Sequence, residues 1–591
     1  MNASLRDSDQ AAIGQRIIDC CLREDIRALL SRGQAQPLPV ELARHWPQPA
    51  APLWLRISHL IDGELWLPVR RGGALQPLSA LGDAWLVRVA DQVRLQRGYA
   101  TWLEHLGAGL DSASRRLFDA YREEADCAVA HRALCRAAYR QQAASLGKLL
   151  DLADWGQRLL GIDRLASYLD HPFYPTARAK SGFDEAALQA YAPEFAPRFQ
   201  LHWLALPRSA VQLSSAPPAG WPSLEQLGLP SALASSHALL PVHPLTWAEL
   251  EAHGLPEGAI RAPLTALEVQ PTLSVRTLAL VEQPDLHIKL PLLVRTLGAR
   301  NLRLIKPSTL YDGHWFQTCL QALAARDPQL GRRYLHVDEQ HGGHVAEHAH
   351  LAYIVRRYPG ALSAATLVPV AALASPLGDG RLFVQQLIER FHGGDLQRWL
   401  DDYLELLLQV HLRLWLGYGI ALEANQQNAV LIFETGQPLR LLMKDNDSAR
   451  LWPERFAAAC PDLAQWPAAL RDARIRVDGC QALAEMFCTI TLQLNLVAPL
   501  EAIAEAGLAP RTQLYASLRE QLHACLEQLE REGLPCAEAR RFLLDSPYLP
   551  VKYLLSAGSL LSKEHCGAAD INKFYGYSAA NFLLEAPCSA D

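Results

Sequence analysis

Lysine and methionine are scarce in this 591-residue chain: eight lysines stand among 56 basic residues, and there are three methionines. Where arginine is the default cation, each lysine marks a place that asks for a compact point charge. None of the twelve cysteines has CxxC spacing, and the one close pair is the vicinal Cys20-Cys21. That excludes a zinc knuckle and argues for scattered buried thiols without a disulfide framework. A strong net charge is also missing, since 62 acidic against 56 basic residues leave −6. Neither nucleic acid nor a membrane surface is then an expected partner. No apolar run reads as the roughly 18 residues that a membrane helix needs. The opening MNASLRDSDQ has neither a basic n-region nor an apolar h-region, so the expected location is the cytoplasm.

What is present is ordinary globular material, half hydrophobic and one-fifth charged, and too long for one core. Residues 1–165 carry apolar positions three and four apart over 11–32, 117–142 and 145–160, which predicts a helical N-terminal region. Proline-rich breaks at 36–39 and 46–52 divide it, and Leu53 to Val69 alternates enough for one small hairpin. Residues 166–385 mix strand and helix patterns. Residues 386–591 are helix-rich around a single hairpin, so the fold class is α+β with several domains. A shift comes at His171-Pro-Phe-Tyr-Pro175. Its two prolines enforce an extended loop, and Arg178 and Lys180 follow, so it reads either as a phosphate cradle or as a linker with incidental charge.

Three stretches carry the chemistry. From Leu267 to Val281 apolar and polar residues alternate, which predicts a strand with Ser274 and Arg276 on one face. A Gln283-Pro284-Asp285 turn then returns Lys289 alongside them. Next, Thr296 and Arg300 offer a hydroxyl and a two-pronged guanidinium, a pair suited to a carboxylate. The third stretch is a polar turn (Glu423, Asn425, Gln427, Asn428), a strand Ala429 to Phe433, and a return strand ending in Lys444-Asp445-Asn446-Asp447. Both polar clusters fall at one end of that hairpin, where carboxylates and carboxamides suit magnesium and a triphosphate. Five histidines between His336 and His350 match no zinc spacing and read as an exposed loop. Lys552 follows a Leu549-Pro550 break, where the chain can turn back toward a site.

The pieces HPFYPTARAKSGF, PVHP, PTLSVRTLAL, KLPLLVRTLGAR, EANQQNAVLIF and KDNDSARL, in this order, resemble the IucA/IucC family. These are siderophore synthetases that work independently of nonribosomal peptide synthetases, and the likeness spans about 165 to 555. The resemblance implies a thumb (1–165), fingers (166–385) and palm (386–591), often paired as a homodimer. It implies an enzyme that uses ATP and Mg2+ to activate a carboxylate of citrate, a citryl intermediate or 2-oxoglutarate as an acyl adenylate, which an amine or alcohol then attacks. Carried over, His171, Ser274, Arg276, Thr277, Lys289, Asn428 and Asp445 would hold the nucleotide, with Lys289, Arg276 and Arg300 catalytic. Thr296, Arg300, Asn425, Gln427 and Lys552 would hold the acid, and Glu423, Asn428, Asp445 and Asp447 the metal. The chain departs from the family at Asn425, where a histidine is usual, and at Tyr174, Leu245-Thr246 and Lys444. Two other readings stay open: a small-molecule kinase, from the Asn428/Asp445 spacing, and a ferric-siderophore binding protein, from the histidines.

Overall fold

The computed structural model describes residues 3–49, 51–73, 75–346, 348–445, 447–562, 564 and 574–584. Helix and sheet are interleaved along the whole chain. An antiparallel sheet of six strands occupies residues 34–97, flanked by the helices Ala3–Arg23, Tyr99–Gly107 and Ser112–Leu146. This corrects the expectation of a helical N-terminal region with one small hairpin. The strands Glu64–Arg71 and Ala84–Val89 bury long runs of apolar residues on both faces, so period-two alternation is weak there.

A nine-stranded antiparallel sheet forms the middle of the molecule, with Thr277–Leu280, Leu286–Lys289, Ala352–Arg357 and Asp338–Val345 side by side. A four-stranded sheet joins Tyr334–His336, Arg440–Met443, Ala429–Phe433 and Thr366–Pro369. One stretch of chain serves both sheets: Tyr334–His336 runs parallel to Arg440–Met443, and two residues later Asp338–Val345 pairs with Ala352–Arg357. The histidine-rich segment is therefore a junction between sheets, not an exposed loop. His344 is buried, His336, His341 and His350 are half-buried, and only His348 is exposed.

Ser274 and Arg276 do not share a strand face. The strand that begins at Ala266 ends at Pro271, and the two residues sit in the tight turn before Thr277–Leu280, where the Thr277 N–H donates to the Ser274 carbonyl at 2.6 Å. Lys289 still arrives beside them, paired in register with Thr277. Nor does the packing part at 165 or 385. One core gathers Leu146 and Ile162 with Phe316, Trp399, Leu441 and Leu549, while Leu555 and Leu560 pack among Ile13, Leu65 and Trp102. One helical run, Gln481–Glu505, is long and apolar enough to cross a membrane, which the sequence reading missed; it is 83% buried inside the molecule and is a core helix. Its middle, Phe487–Val497, winds as a π-helix.

The N- and C-terminal parts are clasped by two buried carboxylates. Glu24 accepts from the N–H groups of Leu555 (2.9 Å) and Ser556 (2.7 Å) and from the Ser556 hydroxyl (2.7 Å). Glu124 accepts from Tyr174, Thr176 and Ser559. Glu24→Ala would orphan three buried donors, a loss on the order of 3 kcal/mol. A clearly lowered Tm in calorimetry is expected, with Glu24→Gln intermediate; a wild-type Tm would show that the clasp holds nothing.

Candidate active site

A cavity of about 950 Å3 opens where the two sheets and the C-terminal segment meet. Of the fourteen residues singled out from the sequence, thirteen line it. The exception, Thr277, lies just behind the wall and donates its hydroxyl to Ser274 Oγ at 3.4 Å.

At the centre the two hairpins touch. Lys289 is 2% exposed, pairs with Asp445, and has Asp447 Oδ2 at 3.6 Å. The junction between sheets fixes this meeting. Asp445 N–H donates to Glu339 at 2.9 Å, Glu339 pairs with buried Arg356 at 2.6 Å, and Arg356 lies opposite His287, two residues from Lys289. Asp445 holds a left-handed backbone (φ 64°), which aspartate and asparagine tolerate. Burial works against its charge, but Lys289, Arg356 and Arg276 overcome that and keep its carboxyl well below the usual range. Burial, with Asp445 as a like charge, pushes Asp447 up to about 7.

Asn428 sits opposite Lys444, whose N–H it receives at 3.2 Å, and so flanks Asp445. Its turn is anchored from the π-helix: Asn495 donates to the Ala424 carbonyl (2.5 Å) and Gln426 to the Leu494 carbonyl (2.7 Å). Asn425 Oδ1 receives the Asn428 N–H at 3.3 Å, and Gln427 lines the same wall. Asp445, Asp447 and Asn428 line the same cavity and carry hard oxygens, the donor type that magnesium shares with phosphate and water. Glu423 lines the same cavity and has Oε1 3.6 Å from Lys552 Nζ.

Cations dominate the wall, with eleven arginines and lysines against seven carboxylates among the described residues. Four of the chain's eight lysines are among them (Lys180, Lys289, Lys306, Lys552). Sequence reasoning missed Arg23, Arg303 and Lys306, which lie outside the quoted motifs, Arg295, which lies within KLPLLVRTLGAR beside Thr296, and Glu339 behind the wall. Two expected acid-binding residues are engaged within the protein. Thr296 Oγ1 accepts from Arg303 at 2.6 Å, while Arg300 donates to the carbonyls of Ala557 (3.0 Å) and Leu561. His171 Nδ1 accepts from the N–H groups of Phe173 and Tyr174, both at 3.1 Å, so its neutral ring presents Nε2 as donor. Burial, with Arg23, Arg16 and Lys552 nearby, takes its pKa down to about 3.

The model of the IucA/IucC family matches residues 161–375, which carry the Ser274–Lys289 wall. A second model, described as ferric iron reductase FhuF-like transporter, matches 397–564. Curated relatives include staphyloferrin B synthase of Staphylococcus aureus, 22% identical over 66% of this chain and 71% of that protein. Aerobactin synthase of Escherichia coli is 27% identical over 54% of this chain and 60% of its own length. Among solved structures, the petrobactin biosynthesis protein AsbB of Bacillus anthracis superposes with a TM-score of 0.73 at 16% identity, covering 98% of this chain and 96% of AsbB. ATP-bound aerobactin synthetase IucA of Klebsiella pneumoniae gives 0.69 at 18% identity, covering 98% and 100%. Residues 161–375 are thus similar to the IucA/IucC family, and the fold of the chain is that of AsbB and IucA.

Within that family pattern the departure at Asn425 falls on the cavity wall, whereas Tyr174 is buried behind it, bonded to Glu124 and Ser559. Burial also holds the histidines at 243, 287, 336 and 411 neutral. In the unfolded chain each takes up a proton near pH 6.5. The unfolded state then binds more protons below that pH, and stability falls as pH drops from about 6.5 toward the folded values. Tm should therefore be lower at pH 5 than at pH 7.5. His171→Asn, which keeps an acceptor for the two N–H groups, should narrow the gap; an unchanged gap would show that His171 is not held neutral.

Proposed function

We propose that this chain is an ATP- and magnesium-dependent ligase of siderophore assembly. It adenylates a carboxylate of a polycarboxylic or 2-oxo acid, such as citrate, a citryl intermediate or 2-oxoglutarate. An amine or alcohol then takes the acyl group, with AMP and pyrophosphate released. The observation that carries this reading is the excess of cations around a single Lys289–Asp445 pair that leaves a quarter of Asp445's side chain open to the cavity. Such a wall suits two polyanions brought together, and the names of the staphyloferrin and aerobactin synthases support a role in siderophore synthesis.

Asp445, Asp447 and Asn428 would hold the magnesium ion, which neutralises phosphate charge when bound. Ser274 and Arg276, on their turn, offer a hydroxyl and a guanidinium to phosphate oxygens. Lys289, fixed by burial, places its ammonium where negative charge grows between acyl oxygen and pyrophosphate. A phosphotransferase reading lacks an aspartate at the catalytic-base position of the 423–428 turn and would release ADP instead. A homodimer belongs to the proposal through the family resemblance, and cytoplasmic location through the sequence features given above.

The decisive assay is acid-dependent pyrophosphate release from ATP, with hydroxylamine as trapping nucleophile and a panel of citrate, 2-oxoglutarate and related acids. Lys289→Ala and Arg276→Ala are expected to lose about 100-fold or more of that rate. Asp445→Asn, which keeps the left-handed backbone, should raise the magnesium needed for half-maximal rate about tenfold, in line with loss of one anionic ligand. Wild-type rates at low magnesium would remove Asp445 from the metal site. Asn425→His should shift which acids are accepted, and an unmoved acid profile would exclude Asn425 from specificity.

A further inference from the structure

Arg303 ends the short strand Leu302–Arg303, which pairs with Leu292–Arg295, and its side chain lines the cavity. Its Nε donates to Thr296 Oγ1 at 2.6 Å. Among the described residues that is its one side-chain partner: no carboxylate lies within ion-pair distance, and both terminal amino groups are uncommitted. Its neighbour is a second guanidinium, Arg276, whose Nη1 holds the Leu304 carbonyl at 2.7 Å. Burial, then the charge of Arg276, pushes the Arg303 pKa down to about 10 against the pull of Asp445 and Glu423. A half-buried cation that faces a second cation and makes no ion pair does not stabilise the empty fold. Such strain persists where a bound group relieves it. Tethering Nε fixes the plane of the guanidinium, and a fixed fork matches two oxygens of one carboxylate or phosphoryl group. Arg300, three residues earlier, cannot serve in the same way, because both of its amino groups already hold backbone carbonyls.

We propose that Arg303 is a substrate-contacting residue, its fork closing on an oxyanion of a substrate bound beside Lys289 and Asp445. This rests on the ligase reading above. The oxyanion is either a carboxylate of the acid or a phosphoryl group of ATP, and titrations separate the two.

Arg303→Gln and Arg303→Lys are compared with the wild-type chain by calorimetric titration with magnesium-ATP, citrate, 2-oxoglutarate and inorganic phosphate at fixed ionic strength. Apo Tm and acid-dependent pyrophosphate release are measured alongside. Arg303→Gln should weaken at least one probe fivefold or more, with Arg303→Lys recovering part of the loss, and apo Tm should stay level or rise. Loss confined to ATP places the fork on a phosphoryl group; loss confined to the acids places it on a carboxylate. Less than a fivefold change for every probe overturns the proposal. So does a collapse of Tm in both variants, because a residue that holds the fold together is not an uncompensated charge. Wild-type protein that releases no pyrophosphate with any acid sinks the ligase reading, while Arg303-dependent oxyanion binding would still stand; wild-type protein that binds no probe ends both.

Discussion

The segment from Tyr334 to Val345 belongs to two sheets at once, and the cavity exists because of it. Its first half lies parallel to Arg440–Met443, and its second half pairs with Ala352–Arg357, which in turn pairs with Leu286–Lys289. The end of one hairpin is thereby carried to the end of another, 156 positions away in the chain, and Lys289 meets Asp445. Glu339, on the same segment, ties the Asp445 peptide to Arg356. Removing one partner of a buried pair leaves a charge that costs about 3–5 kcal/mol. The pair is thus a result of the sheet junction, and it makes that junction hard to rearrange.

Around this point the protein tolerates repulsion. Arg276 and Arg303 are both half-buried in the cavity wall, both lowered in pKa, and adjacent. Two carboxylates on the opposite hairpin, Asp445 and Asp447, are close enough for one to raise the other's pKa. Separated walls of like charge are a poor way to stabilise an empty fold, yet they suit a ligand that is itself anionic and brings a divalent cation. The scarcity of lysine sharpens the point: half of the lysines line this one cavity, and Lys444 is buried beside it.

The two site hairpins were legible because their signals are local. Ala429–Phe433 and Arg440–Met443 are apolar runs around a turn with Gly436, and polar residues mark one end. The grouping of Ser274, Arg276 and Lys289 was also legible, although the reason given was wrong, since a turn and not a strand face brings them together. The N-terminal sheet was obscured by strands buried on both faces and by edge strands rich in Gln and Arg, such as Gln34–Gln36 and Gln92–Arg97. Glu339 and Arg303 were invisible for another reason. Nothing in DEQH or NLRL identifies a site residue until pairings across the chain bring it there. The π-helix hid in the same way, its Thr489, Gln493 and Asn495 reading as stray polar residues in an apolar helix.

One wall of the cavity depends on the two ends of the chain. Gly298, at φ 120°, runs against Gly558, where a Cβ would fall 3.1 Å from the Gly558 Cα. Arg300 then holds the carbonyls of Ala557 and Leu561, so the loop that carries Thr296 toward Arg303 is fixed to the segment 555–561. That segment has little of its own to fix it. It is a short π-turn, and its N–H groups and hydroxyls are met by Glu24 and Glu124 from the N-terminal helices. Glu24 holds Ser556, Arg300 holds the nearby carbonyls of Ala557 and Leu561, and Thr296 on the Arg300 loop holds Arg303, so polar contacts linked through the backbone lead from the N-terminal region to the cavity wall. The N-terminal region therefore shares in the cavity although, among the described residues up to 165, Arg23 alone reaches the wall.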